Sequence, residues 1–540
     1  MHGQMMDMPL TLATVMEHAL LYHPGREIIT ATGPTERHRS TYADVFERAR
    51  RLASALSELG CRADDRIATL AWNDYRHLEL YYALTCGGFV LHTINPRLFR
   101  EQIVFIINHA DDQWVFVDPQ FVPLVEALQH ECTGVKGFII LCAADEMPET
   151  SLRNAHCYED LVTAGAAGTP WPVLDEQAAC ALCYTSGTTG NPKGTLYSHR
   201  SLVLHSMITS AADASGFSLH DVVMPIVPMF HVFAWGVPFR GPMTGPKLVF
   251  PGRYLGSGEV LHSLITGQNV TFAIGVPTIW QLLLDYLDQH KLDTGPLRTA
   301  IVGGAASPLS LFERLKDDYG VELLQGWGMT ELSSIGTVNL PGPDYAKLSG
   351  EEKRAFPLKQ GRPIFGLRLK ITDDDGKALP WDGKAAGHLK VRGPAVGAGY
   401  FKQQDTGLDD EGWFITGDVA TILPDGTMQI TDRSKDLIKS GGEWISSIDL
   451  ENCAMTHPDI KEAAVIGVRH EKWDERPLLI VVAAPGRSPD RDDILACFDG
   501  KVASWWKPDD VAFVDALPMT ATGKISKLTL REQFSDHLLK

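Results

Sequence analysis

Apolar positions along this chain recur with two periods, and the two alternate. From Ser40 to Gly60, residues Val45, Ala49, Leu52, Ala53 and Leu56 return three and four apart, which predicts a helix with one buried face. Ser40 or Thr41 can cap its start, and Gly60 suits the left-handed position just past its end. RIATLAW from Arg66 then reads as a strand, and His77 to Cys86 as a second helix. KGFIILCAA from Lys136 and VVMPIV from Val222 are short apolar runs bounded by turn residues, as buried strands are. This alternation persists over roughly the first 430 residues and predicts a layered α/β architecture with largely parallel sheets.

The texture changes near residue 371. ITDDDGKALPWDGKAAGHLKVRGP carries short strand patterns between Asp-Gly turns (Asp375-Gly376, Asp382-Gly383, and later Asp425-Gly426), so a β-rich subdomain of hairpins is expected. After DRSKDLIKSGGEW the helix-and-strand pattern returns, long enough for a small α+β domain. The expected division is 1–432, a polar hinge at 433–435, and 436–540.

At 540 residues the chain is long enough for several cores, or one large domain with a smaller one. Hydrophobic residues at 44% and charged residues at 21% exclude a mainly disordered or collagen-like chain. The net charge of −18 argues against generic nucleic-acid or anionic-lipid binding, because the electrostatic term has the wrong sign. No apolar run reaches bilayer-spanning length, and the N-terminus lacks a basic region ahead of an apolar one, so a cytoplasmic protein is expected. Nine scattered cysteines do not form a disulfide framework. Cys180 and Cys183 have CxxC spacing, but they sit in the apolar run AACALCY without a further ligand, and they read as buried small hydrophobes.

The segment richest in chemistry is TSGTTGNPKGT, from Thr185 to Thr195. It follows an apolar strand and precedes a helical pattern near Ser198, which predicts a strand-to-helix loop. Glycines let backbone amides approach phosphate oxygens, the hydroxyls add donors, and Lys193 adds charge. Pro192 stands where a Walker A loop needs glycine before its lysine, so a different phosphate cradle is implied.

This motif resembles the signature of the adenylate-forming superfamily, which includes acyl-CoA synthetases, luciferases and peptide-synthetase adenylation domains. Further motifs follow in that family's order: PMFHVFAWG from Pro228, GGAASP from Gly303, QGWGMTE from Gln325, TGD at Thr416 to Asp418, DRSKDLIKSGG from Asp432, and LPMTATGKISK from Leu517. The resemblance implies an acyl-CoA synthetase acting through an acyl-adenylate, with ATP and CoA as co-substrates and Mg²⁺ as the metal. It implies a large N-terminal adenylation domain and a small C-terminal domain that rotates about Lys435 between two half-reactions.

Residue roles carry over motif by motif. Thr185, Ser186, Gly187, Thr188, Thr189, Gly190 and Lys193 would hold the β- and γ-phosphates. Gly304, Ala305, Ala306, Gln325, Gly326, Trp327, Gly328 and Met329 would surround the adenine, with Thr330 on the α-phosphate. Glu331, with Thr185, would hold Mg²⁺. Asp418 and Arg433 would hold the ribose, and Lys524 would bridge carboxylate and α-phosphate as the catalytic lysine beside His231 and Glu331. Lys439, Gly441, Gly442, Glu443 and Trp444 would line the pantetheine tunnel in the other domain arrangement; Lys501 and Lys507 are weaker candidates for CoA phosphates.

The acid pocket is expected from His231, Trp235, Gly303, Gly304 and Trp327, with the two indoles together shortening an apolar cavity. No acidic residue stands where an amino-acid-activating domain holds an ammonium group, which argues against amino acids. NPKGTLYSHRS, INPRL at Ile94 and PMFHVFAWG resemble bacterial short- and medium-chain acyl-CoA ligases, above all those acting on 3-methylmercaptopropionate. A thioether chain suits aromatic walls. Departures from the family pattern are Thr195, a near-isostere where valine is usual; His388, where glutamate is common, which alters one local contact; and Ala395, where tryptophan is frequent, so looser packing is expected around Ala395. Loading of a carrier-protein thiol is the alternative reading, and a homodimer is the expected assembly.

Overall fold

A computed structural model describes residues 1, 3–185, 191–441, 443–520 and 525–539. Two large sheets dominate. The seven-stranded sheet runs Ala155–Cys157, Gly137–Ile140, Trp114–Val117, Arg66–Leu70, Val90–Thr93, Ala179–Thr185, Lys193–Ser198, parallel throughout except for its last pair. The nine-stranded sheet has a parallel middle, from Thr299–Val302 beside Phe272–Gly275 to Glu27–Ala31, and antiparallel pairs at both ends.

Side-chain alternation along the strands builds the layers. Ile67, Leu91, Phe116 and Ile139 point to the same core as Ile28, Leu248, Ile274 and Ile301, so the inner faces of both sheets share one core. The helices Tyr42–Glu58 and Tyr75–Cys86 contribute to that core. The alternate residues Ala68, Leu70 and Val115 face a second core with the helix Arg100–Ala110. Ile29, Met224 and Ala273 face a third with the helices Gly258–Gln268 and Pro277–His290. The layers therefore run helix, sheet, helix, sheet, helix.

The predicted helix at Ser40–Gly60 forms at Tyr42–Glu58. Thr41, not Ser40, caps it: the Thr41 amide donates to Asp44 Oδ2 at 2.8 Å and the Asp44 amide donates to Thr41 Oγ1 at 3.2 Å. Ser40 lies within the strand Arg37–Thr41 instead. Gly60 takes φ +85°, as its position past the helix requires.

One prediction needs correcting. The phosphate loop does not run from strand to helix, because Lys193–Ser198 forms a strand antiparallel to Ala179–Thr185, and the helix His199–Thr209 starts only after it. Gly194, Thr195 and Tyr197 are buried on that strand, which the helical pattern downstream concealed. The loop therefore closes a hairpin.

The β-rich subdomain is a four-stranded antiparallel sheet, Arg368–Thr372, Gly387–Arg392, Phe414–Ile422 and Met428–Arg433. Gly376, Gly383 and Gly426 all take positive φ in its turns. The smaller C-terminal domain is a five-stranded sheet dominated by the pair Ile460–His470 and Asp474–Ala483, with helices on both faces. Sheet membership changes between Arg433 and Ile438. Contacts across that change are polar: the Ser447 amide donates to Asp432 Oδ2 at 2.7 Å, and Arg531 donates to the Lys435 carbonyl at 2.7 Å. His388 lies beside them, bonded to Asp374 at 2.8 Å and Ser434 at 3.3 Å, with its ring edge on Trp444. Around Ala395 a small surface cleft is lined by Gly393, Pro394, Ala395 and Val396, with Leu332 and Ile335 opposite. No helix among the described residues is long and apolar enough to cross a membrane.

Candidate functional site

Thr185 and Lys193 pair across the hairpin that holds the phosphate loop. Ser186, Gly187, Thr188, Thr189 and Gly190 lie outside the described residues. Lys193 extends over the ring of Tyr400 at 4.7 Å and pairs with Asp405 at 3.4 Å. The Tyr400 hydroxyl donates to Glu331 Oε1 at 2.7 Å. One phenol thus ties the lysine of the loop to the carboxylate expected to hold metal. Sequence reasoning missed Tyr400; its place in GAGYFKQ, a segment without charge pairing or recognised spacing, gave no signal.

Burial raises the Glu331 carboxyl above the usual range, and the Tyr400 hydrogen bond opposes that rise. The backbone around Glu331 is fixed on both sides. Its carbonyl accepts from the Gly397 amide at 2.7 Å, and the Thr330 carbonyl accepts from the Tyr197 hydroxyl at 2.6 Å. Thr330 is itself buried.

Asp418 and Arg433 face each other in register on adjacent strands, and the guanidinium Nε lies 2.8 Å from Asp418 Oδ1. The other carboxylate oxygen accepts from the indole N–H of Trp327 at 2.9 Å. Asp418 is therefore oriented on both oxygens by neighbours from different sheets. The two indoles expected in the acid pocket, Trp327 and Trp235, belong to different cores. Trp327 packs into the core of the antiparallel subdomain with Leu369, Leu389 and Phe414, whereas Trp235 belongs to the core between the two large sheets. The indole N–H needs a buried acceptor, and Asp418 supplies it.

Gly303 and Gly304 border the Trp235 ring. A Cβ on Gly303 would lie 3.3 Å from Trp235 and 2.8 Å from the Gly326 carbonyl, and Gly304 takes φ +81°. Ala305 and Ala306 are exposed beyond them. Gln325 is buried, and its carbonyl accepts from the Asn339 amide at 2.8 Å. Gly328 sits at a bulge where the strand Glu322–Met329 meets Ser334–Val338, and Met329 is half-buried after it. His231 precedes a turn in which Val232, Phe233, Ala234 and Trp235 all take positive φ, between 34° and 59°. Four successive non-glycine residues in the left-handed region cost backbone energy, so packing on all of them holds this wall in place.

In the smaller domain, Lys439 pairs with Trp444 across a hairpin whose turn holds Gly441 at φ +59°, with Trp473 against it. Gly442, the side chain of Glu443, and Lys524 with its neighbours 521–523 lie outside the described residues. Burial pushes the Lys435 ammonium below its usual range. Lys501 donates to Thr456 and Lys507 pairs with Asp499, surface contacts in both cases. Cys180 and Cys183 are buried free thiols in the core between the sheets.

The arrangement brings the two ends of the phosphate-loop motif near a buried carboxylate and a doubly fixed aspartate, with Trp235 set against Gly303 and Gly304. Residues 16–401 match the model of an AMP-binding enzyme, and residues 449–524 match an AMP-binding enzyme C-terminal domain. The chain is 50% identical over 538 residues to the 3-methylmercaptopropionyl-CoA ligase of Ruegeria lacuscaerulensis, covering 100% of each. It is 47% identical to the medium-chain-fatty-acid–CoA ligase of Ectopseudomonas oleovorans, covering 100% of this chain and 99% of the relative. Among solved structures, ATP-bound MatB from Rhodopseudomonas palustris superposes with a TM-score of 0.82 at 26% identity, over 98% of this chain and 100% of that one.

Proposed function

The chain belongs to the AMP-binding enzyme family and is an ATP-dependent acid–CoA ligase, and we propose that its acid is 3-methylmercaptopropionate or a short- to medium-chain fatty acid. The observation that carries the acid assignment is full-length similarity to ligases of those acids, and the close approach of Trp235 to Gly303 and Gly304, which restricts space there, supports it. Each added methylene is worth only about 1–3 kcal/mol of discrimination, so neighbouring chain lengths should overlap as substrates.

The reaction has two halves. A carboxylate oxygen attacks the α-phosphorus of ATP, the bond to the pyrophosphate oxygen breaks, and an acyl-adenylate forms. The CoA thiol then attacks the acyl carbonyl carbon, and AMP leaves with the bonding pair. In the first half, two anions must approach, so cations offset the repulsion. Thr185, Lys193 and the loop between them hold the β- and γ-phosphates, with Lys193 aimed by Tyr400 and Asp405. Asp418, oriented by Arg433 and Trp327, accepts from the ribose hydroxyls. Lys524 bridges the carboxylate and the α-phosphate.

Glu331 and Thr185 are hard oxygen donors, and among the described residues no larger metal-ligating cluster competes with them. That sparse set suits Mg²⁺, which takes one or two protein oxygens and completes its shell with phosphates and water. When bound there it would neutralise phosphate charge. Domain 436–540 then turns about 433–435, pivoting at Lys435, to bring Lys439, Gly441, Gly442, Glu443 and Trp444 to the thiol arm. A homodimer in the cytoplasm completes this reading, and light scattering on the purified chain tests the assembly.

The test is a panel of acids from acetate to decanoate, with 3-methylmercaptopropionate, mixed with ATP, Mg²⁺ and CoA. AMP and acyl-CoA should appear together, fastest for the thioether acid or for butyrate to octanoate. Adenylate without thioester would instead favour a carrier-protein thiol as acceptor.

A pH profile tests the role of Glu331. Mg²⁺ must displace the proton from this carboxyl, and burial favours the protonated form before the metal binds, so Mg²⁺ affinity, and activity at limiting Mg²⁺, should fall on the acid side at a higher pH than an ordinary carboxylate would set. Tyr400→Phe removes the hydrogen bond that lowers this pKa. The acid limb of pyrophosphate release should therefore move to still higher pH. An unmoved limb would show that another group sets it.

A further inference from the structure

Tyr197 is buried on the strand Lys193–Ser198, the strand that also carries Lys193. Its phenol touches two segments distant from each other in sequence. The hydroxyl donates to the Thr330 carbonyl at 2.6 Å, and the ring meets that of Phe233 edge to face at 5.1 Å. Burial raises the phenol's pKa well above its usual value, so the hydroxyl keeps its proton at neutral pH and stays a donor. The Thr330 carbonyl and the Glu331 amide share one planar peptide, so this bond sets the plane from which both side chains project.

Phe233 belongs to the left-handed turn between His231 and Gly236. The approach to that turn is anchored through Met229, whose amide donates to Asn73 Oδ1 at 2.7 Å and whose carbonyl accepts from the Tyr81 hydroxyl at 2.5 Å. Asn73 is fully buried and donates as well to the Pro225 and Val227 carbonyls, at 3.0 and 2.8 Å. Beyond this anchor, rings hold the turn: Phe233 meets Tyr81 at 5.9 Å, Phe239 at 5.6 Å, and Tyr197. Tyr81 bonds Met229 and Phe239 has no hydroxyl, so the polar link from this ring cluster to Thr330 is Tyr197. Close-packed interiors yield little and transmit strain. With Met229 fixed, a displacement of the turn beside Trp235 falls on Phe233 and passes through the phenol to the Thr330–Glu331 peptide.

We propose that Tyr197 is a positioning residue that couples the two substrate sites, so that acid and ATP bind cooperatively. This rests on the ligase reading above, with Thr330 at the α-phosphate and the acid against Trp235. Coupling is reciprocal, so each ligand tightens the other by one common factor.

The probe is α,β-methylene-ATP with Mg²⁺, in which carbon replaces the bridging oxygen that adenylation releases, so both ligands bind without turnover. Calorimetry gives its Kd alone and with saturating 3-methylmercaptopropionate or hexanoate, whichever turns over faster. In wild type the acid should tighten analogue binding at least about 5-fold. Tyr197→Phe keeps the ring on Phe233 and loses the Thr330 bond, and the tightening should disappear. Phe233→Leu keeps that bond and loses the ring contact, with the same result expected. A merely structural tyrosine would weaken the analogue equally with and without acid, and tightening that survives in Tyr197→Phe would overturn the proposal. If that variant fails to fold, Phe233→Leu decides by the same reading. A wild type that makes acyl-CoA but shows no tightening would overturn this proposal alone. Failure of wild type on every acid would overturn the ligase reading and this proposal with it.

Discussion

Lys524→Ala should slow acyl-adenylate formation about 100- to 1,000-fold, the usual cost of removing one charge-stabilising donor from a phosphoryl- or acyl-transfer site. Thioester formation from a pre-made adenylate should change little if, as proposed above, the lysine serves the first half-reaction alone. Pyrophosphate release and CoA thioester formation, measured separately, give the two rates. The substitution should leave the fold intact, since anchors flank the segment that carries Lys524. Met519 bridges to Ile525, the Ser526 amide donates to the Pro518 carbonyl at 2.7 Å, and the buried Lys527 pairs with Glu451 at 2.7 Å. Equal loss in both half-reactions would mean that Lys524 supports the small domain as a whole, not the α-phosphate.

Gly328→Ala should have the largest effect on stability. A Cβ there would fall 1.7 Å from the Ser334 carbonyl oxygen, a backbone atom with no rotamer to yield. Overpacking of this kind costs about 1–3 kcal/mol and more where the backbone must move, so a loss of about 3 kcal/mol is expected. ATP binding should weaken as well, because the bulge at Trp327 and Gly328 sets the indole on Asp418 and leads directly to Thr330 and Glu331. Thermal unfolding and an ATP titration read the two consequences. A variant with wild-type Tm and normal ATP affinity would show that the strands can separate at no cost.

Much of this architecture was legible in residue patterns. The helix at 42–58 carries both its cap and its stop in the sequence, and the Asp-Gly pairs mark real turns of the antiparallel subdomain. The helix Tyr75–Cys86 was found without its first two residues, because it is buried on nearly every side and shows little amphipathic contrast. The strand Lys193–Ser198 was lost for a related reason: six residues with one exposed side chain have too short a period to outweigh the helix behind them. Family motifs pointed to Glu331, Asp418 and Lys193 as candidates. They could not reveal that Tyr400 joins two of these, or that the Trp327 indole holds the third. Those links depend on strands distant in sequence that meet only in the folded chain. Tyr197 was passed over because nothing in GTLYSHRS signals what its phenol meets.

The cysteines bear on the conditions this enzyme can tolerate. Eight lie in cores, and Cys497 is half-exposed; burial pushes Cys61 and Cys86 up to about 12 and Cys183 up to about 11. A ligase that consumes a thiol works amid that thiol's own disulfide, and exchange requires a protein thiolate within reach of it. Out of contact, the eight core side chains cannot be capped by oxidised CoA, so a lapse in the reducing state of its surroundings would starve this enzyme of acceptor and leave half-exposed Cys497 as the thiol most open to capping.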